Sequence, residues 1–383
     1  MSTKEKIRKL AYRVGVKAAT LPYAKGSWKY EYAALRWWFV CSDHYQTRFK
    51  PEFDEKLAQY RGEGCPKSWR TRLDYWLCWI FLGAEPEDYF DYEFFKKGWL
   101  WRNHHITRQR LNFMDAMLNA KEQMPCTALK SEFYRHWNDW LHRPWCVPRE
   151  VSYEQFEALF GSLNEIMVKP VGSFGGKGIY VIDLRTADLR KVYDDLHSAE
   201  EETVAEAFVH QKGFLNDIYP AALNPLRVTT LRMQDEVTVL YSFFTAGCNG
   251  TAIANDCSGG ICFSVDTQSG QLGPGQGRAS NNHICHPDTG VKVAGEYVPA
   301  WERIKAFACE AHKHAPEGLG LIGWDVCLSG DDISLVEGNC GPGFPELPDR
   351  RDNMWKAMQG YLNRVDEIKR QKRDEASAAA IKV

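Results

Sequence analysis

Apolar residues recur at helical spacing through the first third of the chain. This spacing predicts helices over Tyr30–Val40, Ser68–Phe81 and Ile106–Leu118, with short turns between them. The stretch Glu85-Pro-Glu-Asp88 is typical of a helix start, because acidic side chains in a first turn complement the helix dipole. We therefore predict a helical, aromatic-rich N-terminal domain over residues 1–124.

The pattern changes near Met124-Pro125, after which short strands and helices follow one another. The predicted strands are Ile166–Pro170, Ile179–Asp183, Val204–Val209, Arg227–Leu231 and Val237–Phe244, and the predicted helices are Ser152–Leu159, Leu184–His197 and Trp301–His314. This mixture predicts an α+β fold after the helical domain. We expect subdomains at 125–210 and 211–360, followed by a helical or disordered tail at 361–383.

Two apolar runs near the C-terminus, Leu319–Gly323 and Ile333–Val336, flank a polar turn and predict a β-hairpin. Asp325 then lies on one strand, and Glu337 lies near the same height on the other. Asn339, two residues further on, shares the face of Glu337. Two carboxylates and an amide oxygen are hard ligands that suit Mg²⁺, whereas the alternative is a hairpin with a polar, solvated face.

Composition and charge narrow the function classes. Of the 383 residues, 44% are hydrophobic and 26% are charged, as in ordinary globular proteins. The formal net charge of -2 gives no electrostatic case for nucleic-acid binding. No apolar run is long enough to span a membrane, and the basic N-terminus lacks the apolar segment of a signal peptide, so we expect a cytoplasmic protein.

Cysteine and aromatic residues allow two interpretations each. The 12 cysteines lack CxxC spacing, which favours free thiols over disulfides. His283, Cys285 and His286 invite a zinc interpretation, but no second Cys/His pair accompanies them. Aromatic clusters such as Trp37-Trp38 and Tyr89-Phe-Asp-Tyr92 are expected in a core. The alternative is a surface that contacts another protein or a second copy of the chain.

A glycine-rich loop joins the strands that end at Pro170 and begin at Ile179. Its glycines let main-chain N–H groups turn toward a phosphate, and Lys169 at the strand end supplies a cation. It is not a Walker A loop, because Lys177 is followed by Gly178 and a strand comes next. Alone, such a loop is as well explained by a tight turn.

The order of these features resembles the ATP-grasp superfamily, and within it the sugar-transfer-associated group, which is related to α-L-glutamate ligases. The resemblance covers about residues 125 to 350, and the helical first third lies outside it. It is carried by Lys169-Pro170 with the glycine loop, the strand Val204–Val209, Asn224-Pro-Leu-Arg-Val-Thr-Thr-Leu231, Ser258-Gly-Gly-Ile261, His286-Pro-Asp-Thr-Gly290, Val298-Pro-Ala-Trp301, Ile322-Gly-Trp-Asp-Val326 and Glu337-Gly-Asn339.

The resemblance implies an ATP-grasp fold of two α+β subdomains that clasp ATP, together with a role for each matching residue. ATP contacts are implied for Lys130, Lys169, Gly172, Ser173, Gly175, Gly176, Lys177, Glu206, Ala207 and Val209. Mg²⁺ ligands are implied at Asp325, Glu337 and Asn339, and catalytic roles at Arg227 and Lys169. The substrate side is implied to include Arg227, Asn255, Asp256, His286, Gly341 and Gly343.

Several of these roles have structural alternatives. Lys169 and Glu206 could be ordinary strand residues, and Arg227 could form a structural ion pair. His286 could act as a base at neutral pH or serve in the core or a turn. Cys340 departs from the sequence that follows the metal asparagine in D-alanine–D-alanine ligases, which puts a carboxylate-binding role of the following glycines in doubt.

Three hypotheses of function follow. The first is an ATP- and Mg²⁺-dependent carboxylate–amine ligase that forms an amide through an acyl-phosphate. The second is a small-molecule kinase, since ATP-grasp folds host both reactions. The third is a binding protein without turnover, which recruits a partner through its aromatic N-terminal part. A ligase requires two co-substrates to release ADP and phosphate, whereas a kinase needs one and leaves a stable phosphorylated product.

Overall fold

A computed structural model describes residues 45–60, 64–173, 175–234, 236–251, 254, 259–277, 281–345 and 354–381. The helix predicted over Tyr30–Val40 and the pair Trp37-Trp38 lie outside these ranges. The chain divides into two compact units, one formed by Met1–Leu118 with Arg351–Val383 and the other by Asn119–Arg350. The functional subdomain boundaries given above stay predictions.

The helices and strands are as follows, in chain order. The α-helices are α1 (Lys50–Gln59), α2 (Trp69–Leu82), α3 (Pro86–Asp91), α4 (Trp99–Arg102), α5 (Arg108–Leu118), α6 (Pro125–Ala128), α7 (Lys130–His136), α8 (Asn138–Leu141), α9 (Tyr153–Phe160), α10 (Leu189–Ser198), α11 (Phe214–Ile218), α12 (Trp301–His314) and α13 (Met354–Ile381). A π-helical turn covers Tyr45–Phe49, and 3₁₀ turns cover Phe94–Lys96 and Pro148–Glu150. The strands are β1 (Trp145–Cys146), β2 (Glu165–Pro170), β3 (Tyr180–Asp183), β4 (Thr203–Ala207), β5 (Leu226–Met233), β6 (Glu236–Ala246), β7 (Ile261–Val265), β8 (Leu272–Gln276), β9 (Asn281–His283), β10 (Leu321–Ser329) and β11 (Asp332–Cys340).

The first unit is helical and has an aromatic core, as predicted. Tyr75 of α2 stacks on Phe53 of α1 with ring centroids 4.1 Å apart, and Tyr89 of α3 packs edge-on against the same ring. Glu85 and Asp88 form a reciprocal capping box at the start of α3, which confirms the predicted helix start. In the C-terminal tail, α13 is one long helix.

The second unit contains two antiparallel sheets. The four-stranded sheet has the order β1-β4-β2-β3, and the seven-stranded sheet has the order β11-β10-β5-β6-β7-β8-β9. Helices α9 and α10 supply Phe156, Phe160 and Tyr193 to the core of the smaller sheet. Helix α12 packs Trp301 and Ile304 into the core of the larger one. Two α+β layers of this kind, preceded by a helical unit, are the architecture that the sequence predicts.

Several predicted boundaries differ from the structure by a few residues. The helix predicted from Leu184 begins at Leu189, because Asp188 caps it by accepting hydrogen bonds from the N–H groups of Arg190 and Lys191. The strand predicted to reach Val209 ends at Ala207. By contrast, α12 has the predicted bounds.

Candidate functional site

The predicted hairpin is present, and its register brings the acidic residues together. Asp325 in β10 pairs with Glu337 in β11 on one side and with Arg227 in β5 on the other. Asn339 pairs with Gly323 in the next row. Because directly opposite residues of antiparallel strands project from the same face, Glu337, Asp325 and Arg227 form a charged row across three strands.

Hydrogen bonds fix this charged row. Arg227 binds Asp325 with two parallel contacts, Nε to Oδ1 at 2.6 Å and Nη2 to Oδ2 at 3.0 Å. Asn339 Nδ2 donates to Glu337 Oε1 at 3.0 Å. Burial raises the pKa of Asp325 to about 6, with Arg227 opposing the shift and Glu337 adding to it. Burial acts on Glu337 in the same direction, but hydrogen bonds from Asn339 and Asp325 lower its pKa.

The donor set of this row fits a divalent cation. Asp325 is buried and Glu337 is half-buried, and the two carboxylates lie within each other's field, so their mutual repulsion favours a proton on one of them. A cation between them would remove that repulsion and the cost of burying both charges. Carboxylate and amide oxygens are the ligands that Mg²⁺ prefers, so Asp325, Glu337 and Asn339 are chemically suited to hold it.

A second buried charge cluster lies on the four-stranded sheet. Lys169 Nζ lies 2.5 Å from Glu206 Oε1, and Arg143 Nε lies 2.6 Å from Glu206 Oε2. The Tyr134 hydroxyl donates to Glu206 Oε2 and accepts from Lys169 Nζ at 3.1 Å. Arg143 Nη1 also donates to the main-chain oxygen of Leu335 in β11 at 2.7 Å. Arg143 therefore ties this cluster to an edge strand of the seven-stranded sheet.

The cluster keeps its charges ionised in spite of burial. Burial alone would raise the pKa of Glu206, but the charges of Arg143 and Lys169 hold it at about 2. Burial alone would lower the pKa of Lys169, but the Glu206 carboxylate raises it above its ordinary value. Two cations share one carboxylate, so the cluster carries one net positive charge that a phosphate could neutralise.

Both carboxylate oxygens of Glu206 are engaged by these partners, so its side chain faces the cluster. The predicted adenine hinge around it depends on the main chain. The Ala207 N–H donates to the Pro144 carbonyl at 3.0 Å and is used within the fold. The Val209 N–H, just beyond β4, has no hydrogen-bond acceptor within the described part of the chain. Such a main-chain N–H can donate a hydrogen bond to a ring nitrogen of adenine.

The glycine loop is held by the predicted upstream lysine. Lys130 Nζ donates to the Ser173 carbonyl and lies 3.4 Å from Ser173 Oγ. Burial lowers the pKa of Lys130; the charge of Glu337 opposes this shift, and that of Lys169 adds to it. Lys130 therefore lies in the electrostatic field of both charge clusters.

Backbone angles in the loop explain its glycines. Gly175, Gly176 and Gly178 have φ values of 67°, 77° and 73°, which non-glycine residues rarely adopt. At Gly178, a Cβ would also lie 2.9 Å from Pro170 Cγ. Lys177 is exposed between them. The loop conformation requires these glycines, whichever group the loop binds.

The predicted substrate-side residues fall into three groups. Asn255 and Asp256 lie outside the described residues. His286 is fully buried, and its Nε2 lies 2.7 Å from the Gly247 carbonyl oxygen, which corresponds to the core interpretation rather than to an accessible base. Gly341 and Gly343 follow β11 directly, and among the described residues their N–H groups have no acceptor.

The two clusters and Lys130 together have an excess of positive charge. The cations are Lys130, Arg143, Lys169 and Arg227, and the carboxylates are Glu206, Asp325 and Glu337. One additional divalent cation would raise the net charge from +1 to about +3, which approaches the charge needed to balance a nucleoside triphosphate. The ensemble is therefore suited to a polyanion with a bound metal ion.

Two members of this ensemble, Arg143 and Tyr134, were not predicted as site residues. Arg143 is 63 residues from Glu206 and 192 from Leu335 along the chain. No local motif signals such a contact. For Tyr134, the only available signal was its position in the segment that also contains Lys130.

Three further predictions concern the cysteines, a zinc site and membrane-spanning helices. The ten described cysteines are all free thiols, as expected. Where the structure describes the chain, no group of three or more His, Cys, Asp or Glu side chains could hold a metal ion, so the zinc interpretation of His283, Cys285 and His286 gains no support. The same part of the chain contains no helix both long and apolar enough to cross a membrane.

Comparisons with known structures return two ligases and a synthase, among others, at low similarity. D-alanine–D-alanine ligase from Coxiella burnetii is 10% identical, with a TM-score of 0.38 and coverage of 67% of this chain and 62% of the other. N5-carboxyaminoimidazole synthase from Aspergillus clavatus, in complex with ADP and 5-aminoimidazole ribonucleotide, is 12% identical, with a TM-score of 0.36 and coverage of 62% and 51%. The L-amino acid ligase from Bacillus licheniformis is 13% identical, with a TM-score of 0.34 and coverage of 62% and 47%. The chain thus spans less than two thirds of the length of each of these enzymes.

The family is shown by sequence instead. No curated protein matches the chain. The sequence profile of the sugar-transfer associated ATP-grasp family matches residues 145–347, which is more than half of the chain and includes both sheets. The chain therefore belongs to the sugar-transfer associated ATP-grasp family.

Proposed function

We propose that this protein is an ATP- and Mg²⁺-dependent carboxylate–amine ligase that forms an amide through an acyl-phosphate, on a sugar acid, an amino acid or another small metabolite. The observation that carries the proposal is the pairing of two opposite charge clusters in one unit. Lys169 and Arg143 surround one carboxylate, whereas Arg227 lies beside two. Such a pair suits a metal–triphosphate complex.

ATP would be held mainly by the four-stranded sheet. Lys169 and Lys130 would contact the phosphates as point charges, and the N–H groups of the glycine loop would close over the β- and γ-phosphates. The Val209 N–H would bind the adenine ring, with Glu206 acting indirectly by orienting Lys169. Gly172 is exposed, and a Cβ built on it would meet no described atom beyond its chain neighbours within 4 Å, which leaves room for a phosphate oxygen beside the start of the loop.

Asp325, Glu337 and Asn339 would hold the metal. Bound Mg²⁺ would neutralise phosphate oxygens and orient the γ-phosphate. Arg227 is fixed by its two contacts with Asp325, so its guanidinium is pre-organised beside the metal ligands. We assign to Arg227 the stabilisation of negative charge on the transferred phosphoryl group.

The proposed reaction has two displacements. An oxygen of the substrate carboxylate attacks the γ-phosphorus, the bond to ADP breaks, and an acyl-phosphate forms. An amine nitrogen then attacks the acyl carbon, loses a proton to solvent and expels phosphate. A closed glycine loop would exclude water from the acyl-phosphate, and most of the rate enhancement would come from positioning and electrostatics.

The test is phosphate release over a panel of carboxylates crossed with amines. A ligase releases ADP and phosphate only when one carboxylate and one amine are both present. A phosphorylated product that forms with a single substrate, without free phosphate, would instead establish the alternative kinase. If ATP binds but is not consumed with any pair of substrates, both the ligase and the kinase hypotheses are wrong.

Glu337→Ala is the matching variant. Because it removes one of the two carboxylates of the proposed metal site, we expect turnover to fall below detection while the fold is retained. Glu310→Ala is the control, since Glu310 is exposed and, among the residues that the structure describes, pairs with Lys313 on the same helix, α12. Activity of Glu337→Ala within a few-fold of the wild type would refute the assignment of the site.

A further inference from the structure

β11 contains an extra residue beside the proposed metal ligands. From the turn as far as Leu335, β10 and β11 pair in one continuous register. Asp325 then pairs with Glu337, so the pairing skips Val336, which forms a β-bulge. In the uninterrupted register, Val336 would lie opposite Asp325, and Glu337 would project from the other face of the sheet. The bulge therefore decides that a carboxylate, and not an apolar side chain, faces Asp325.

Arg143 binds β11 at the residue where the register changes. A bulge disrupts the ladder locally, because its extra residue is left unpaired. β11 is an edge strand of the seven-stranded sheet, so one side of its main chain has no neighbouring strand. Arg143 Nη1 donates to the carbonyl oxygen of Leu335, the last residue before the bulge, at 2.7 Å. This hydrogen bond holds the strand from outside the β10–β11 ladder.

Other elements fix the direction of the Arg143 guanidinium. Nε donates to Glu206 Oε2 at 2.6 Å in the four-stranded sheet, and Nη1 also donates to the Leu141 carbonyl at the end of α8 at 2.9 Å. Nη2 lies 3.4 Å from the Tyr134 hydroxyl, and the arginine side chain is 5% exposed. Because the donors of an arginine form one rigid planar fork, fixing Nε also aims Nη1 at Leu335.

The same guanidinium connects the phosphate-binding cluster with the metal ligands. Glu206 binds Arg143 through one carboxylate oxygen and Lys169 Nζ through the other, at 2.5 Å. On the other side, Leu335 precedes Glu337 by two residues in β11. One buried carboxylate thus orients the lysine proposed to bind phosphate and also the arginine that holds the strand with the metal ligand.

We propose that Arg143 is a positioning residue that fixes the bulge in β11 and thereby holds Glu337 opposite Asp325 as a metal ligand. The assignment rests on the proposed function. Arg143 contacts neither metal nor substrate in this role, since its donors are used by Glu206 and by main-chain carbonyls. It acts on the metal site through the main chain of β11.

Hydrogen–deuterium exchange of the ligand-free protein tests this role without any metal. In Arg143→Lys, one ammonium nitrogen replaces the two nitrogens that now contact Glu206 and Leu335, so the charge stays and the fork is lost. The N–H groups of β11 that face β10 are hydrogen-bonded in the ladder, so their exchange reports how firmly the strand is held. Because the lost hydrogen bond comes from a charged donor, we expect exchange of the peptide 333–340 to become about tenfold faster.

Arg232→Lys is the matched control. Arg232 lies on β5 of the same sheet, and its guanidinium donates to the carbonyls of Pro316 at 3.0 Å and Ala315 at 3.1 Å, beyond the end of α12. The same substitution there should leave exchange of residues 333–340 unchanged. Unchanged exchange of this peptide in Arg143→Lys would overturn the proposal. An equal increase in both variants would also overturn it, since that result indicates general loosening of the sheet.

Mn²⁺ is the probe for the metal site, because it takes the oxygen ligands that suit Mg²⁺ and its free concentration is measured by paramagnetic resonance. Since residues that orient metal ligands contribute strongly to affinity, we expect Arg143→Lys to bind Mn²⁺ about tenfold more weakly. ADP binding in the presence of EDTA should stay close to that of the wild type, because a cation remains beside Glu206. Undiminished Mn²⁺ affinity in Arg143→Lys would overturn the proposal.

Deletion of Val336 shows whether Arg143 acts through the bulge. Without the extra residue, the uninterrupted register itself places Glu337 opposite Asp325. In this background, Arg143→Lys should change Mn²⁺ affinity by less than about threefold. An equal loss in both backgrounds would overturn the proposal, because Arg143 would then act by another route. If thermal unfolding shows that the deletion variant does not fold, the exchange comparison with Arg232→Lys decides.

Failure of the proposed function gives a different result. A wild-type protein that binds neither Mn²⁺ nor ADP would contradict the proposed function. Exchange of residues 333–340 in the ligand-free protein would still decide whether Arg143 holds the bulge, because that measurement needs no ligand.

Discussion

The two sheets of the second unit bury opposite charge patterns. The four-stranded sheet encloses one carboxylate, Glu206, between two cations, and the pKa of Glu206 is held at about 2. The seven-stranded sheet places one cation, Arg227, beside two carboxylates, and burial raises the pKa of one of them, Asp325, to about 6. Burial acts on both carboxyl groups in the same direction. The ratio of cations to carboxylates decides the outcome.

This inversion matches the two tasks that we propose for the sheets. A buried cluster with excess cations is ready for phosphate without further change. A buried cluster with excess carboxylates is ready for a metal ion and holds a proton more tightly in its absence. The two clusters meet through Arg143, whose guanidinium contacts Glu206 on one side and the main chain of β11 on the other.

Arg143→Met is expected to have the largest effect, because it removes one of the two cations that neutralise Glu206. Breaking a buried pair of this kind costs about 3–5 kcal/mol of unfolding free energy. Chemical denaturation measures the loss. Arg135→Met is the control, since Arg135 pairs with Glu132 and Glu150 on the surface and should contribute less than about 1 kcal/mol. Equal losses in the two variants would contradict the conclusion that the buried cations of the four-stranded sheet stabilise it more than a surface ion pair does.

Acid titration should distinguish the charge patterns of the two sheets by their effect on stability. Glu206 has a folded pKa of about 2, below its ordinary 4.5, so its contribution is present above pH 4.5 and is lost as pH falls toward 2. The shift corresponds to about 3 kcal/mol. Unfolding free energies of wild type and Glu206→Gln, compared across this range, measure it. A variant with the same acid dependence as the wild type would contradict the assignment.

In metal-free protein, the pH dependence of stability that Asp325 contributes should have the opposite sign. Its folded pKa of about 6 lies above the ordinary 3.8, so the native state binds the extra proton between these values and stability falls as pH rises through this window. Added Mg²⁺ should remove the dependence and stabilise the protein by about 2.7 kcal/mol at one hundred times its dissociation constant. Thermal unfolding with and without Mg²⁺ measures this. Stabilisation that persists in Glu337→Gln would place the metal elsewhere.

Tyr134→Phe is expected to have the smallest effect. It removes a hydroxyl that donates to Glu206 and accepts from Lys169, but it leaves both cations of the cluster in place. The expected loss is about 1.5 kcal/mol of unfolding free energy, the lower end for hydrogen bonds to charged groups. We also expect weaker ADP binding, because Lys169 loses a contact that orients it. A loss as large as that of Arg143→Met would mean that the hydroxyl, and not the charge ratio, stabilises the cluster.

The sequence alone predicted the β10–β11 hairpin and most local elements. The turn before Asp332 sets the register as far as Val326 and Leu335, and continued without change it would place Val336 opposite Asp325. A register shift between Asp325 and Val326 brings Glu337 opposite Asp325 instead, and the sequence pattern does not specify that shift. Ser152 caps α9 as its sequence indicates, because the capping box is a contact between near neighbours. The ordered motifs also determined the family, since each is short and local.

Only the tertiary structure decided how the buried charges pair. In the sequence, Glu206 is an ordinary strand glutamate, because Arg143, which pairs with it, lies 63 residues away along the chain. The sequence left His286 as either a base or a core residue, and the fold buries it against Tyr219. Tyr241 meets Pro345 across 104 residues. Contacts over such separations follow from how whole sheets and segments pack, and that packing has no local sequence signature.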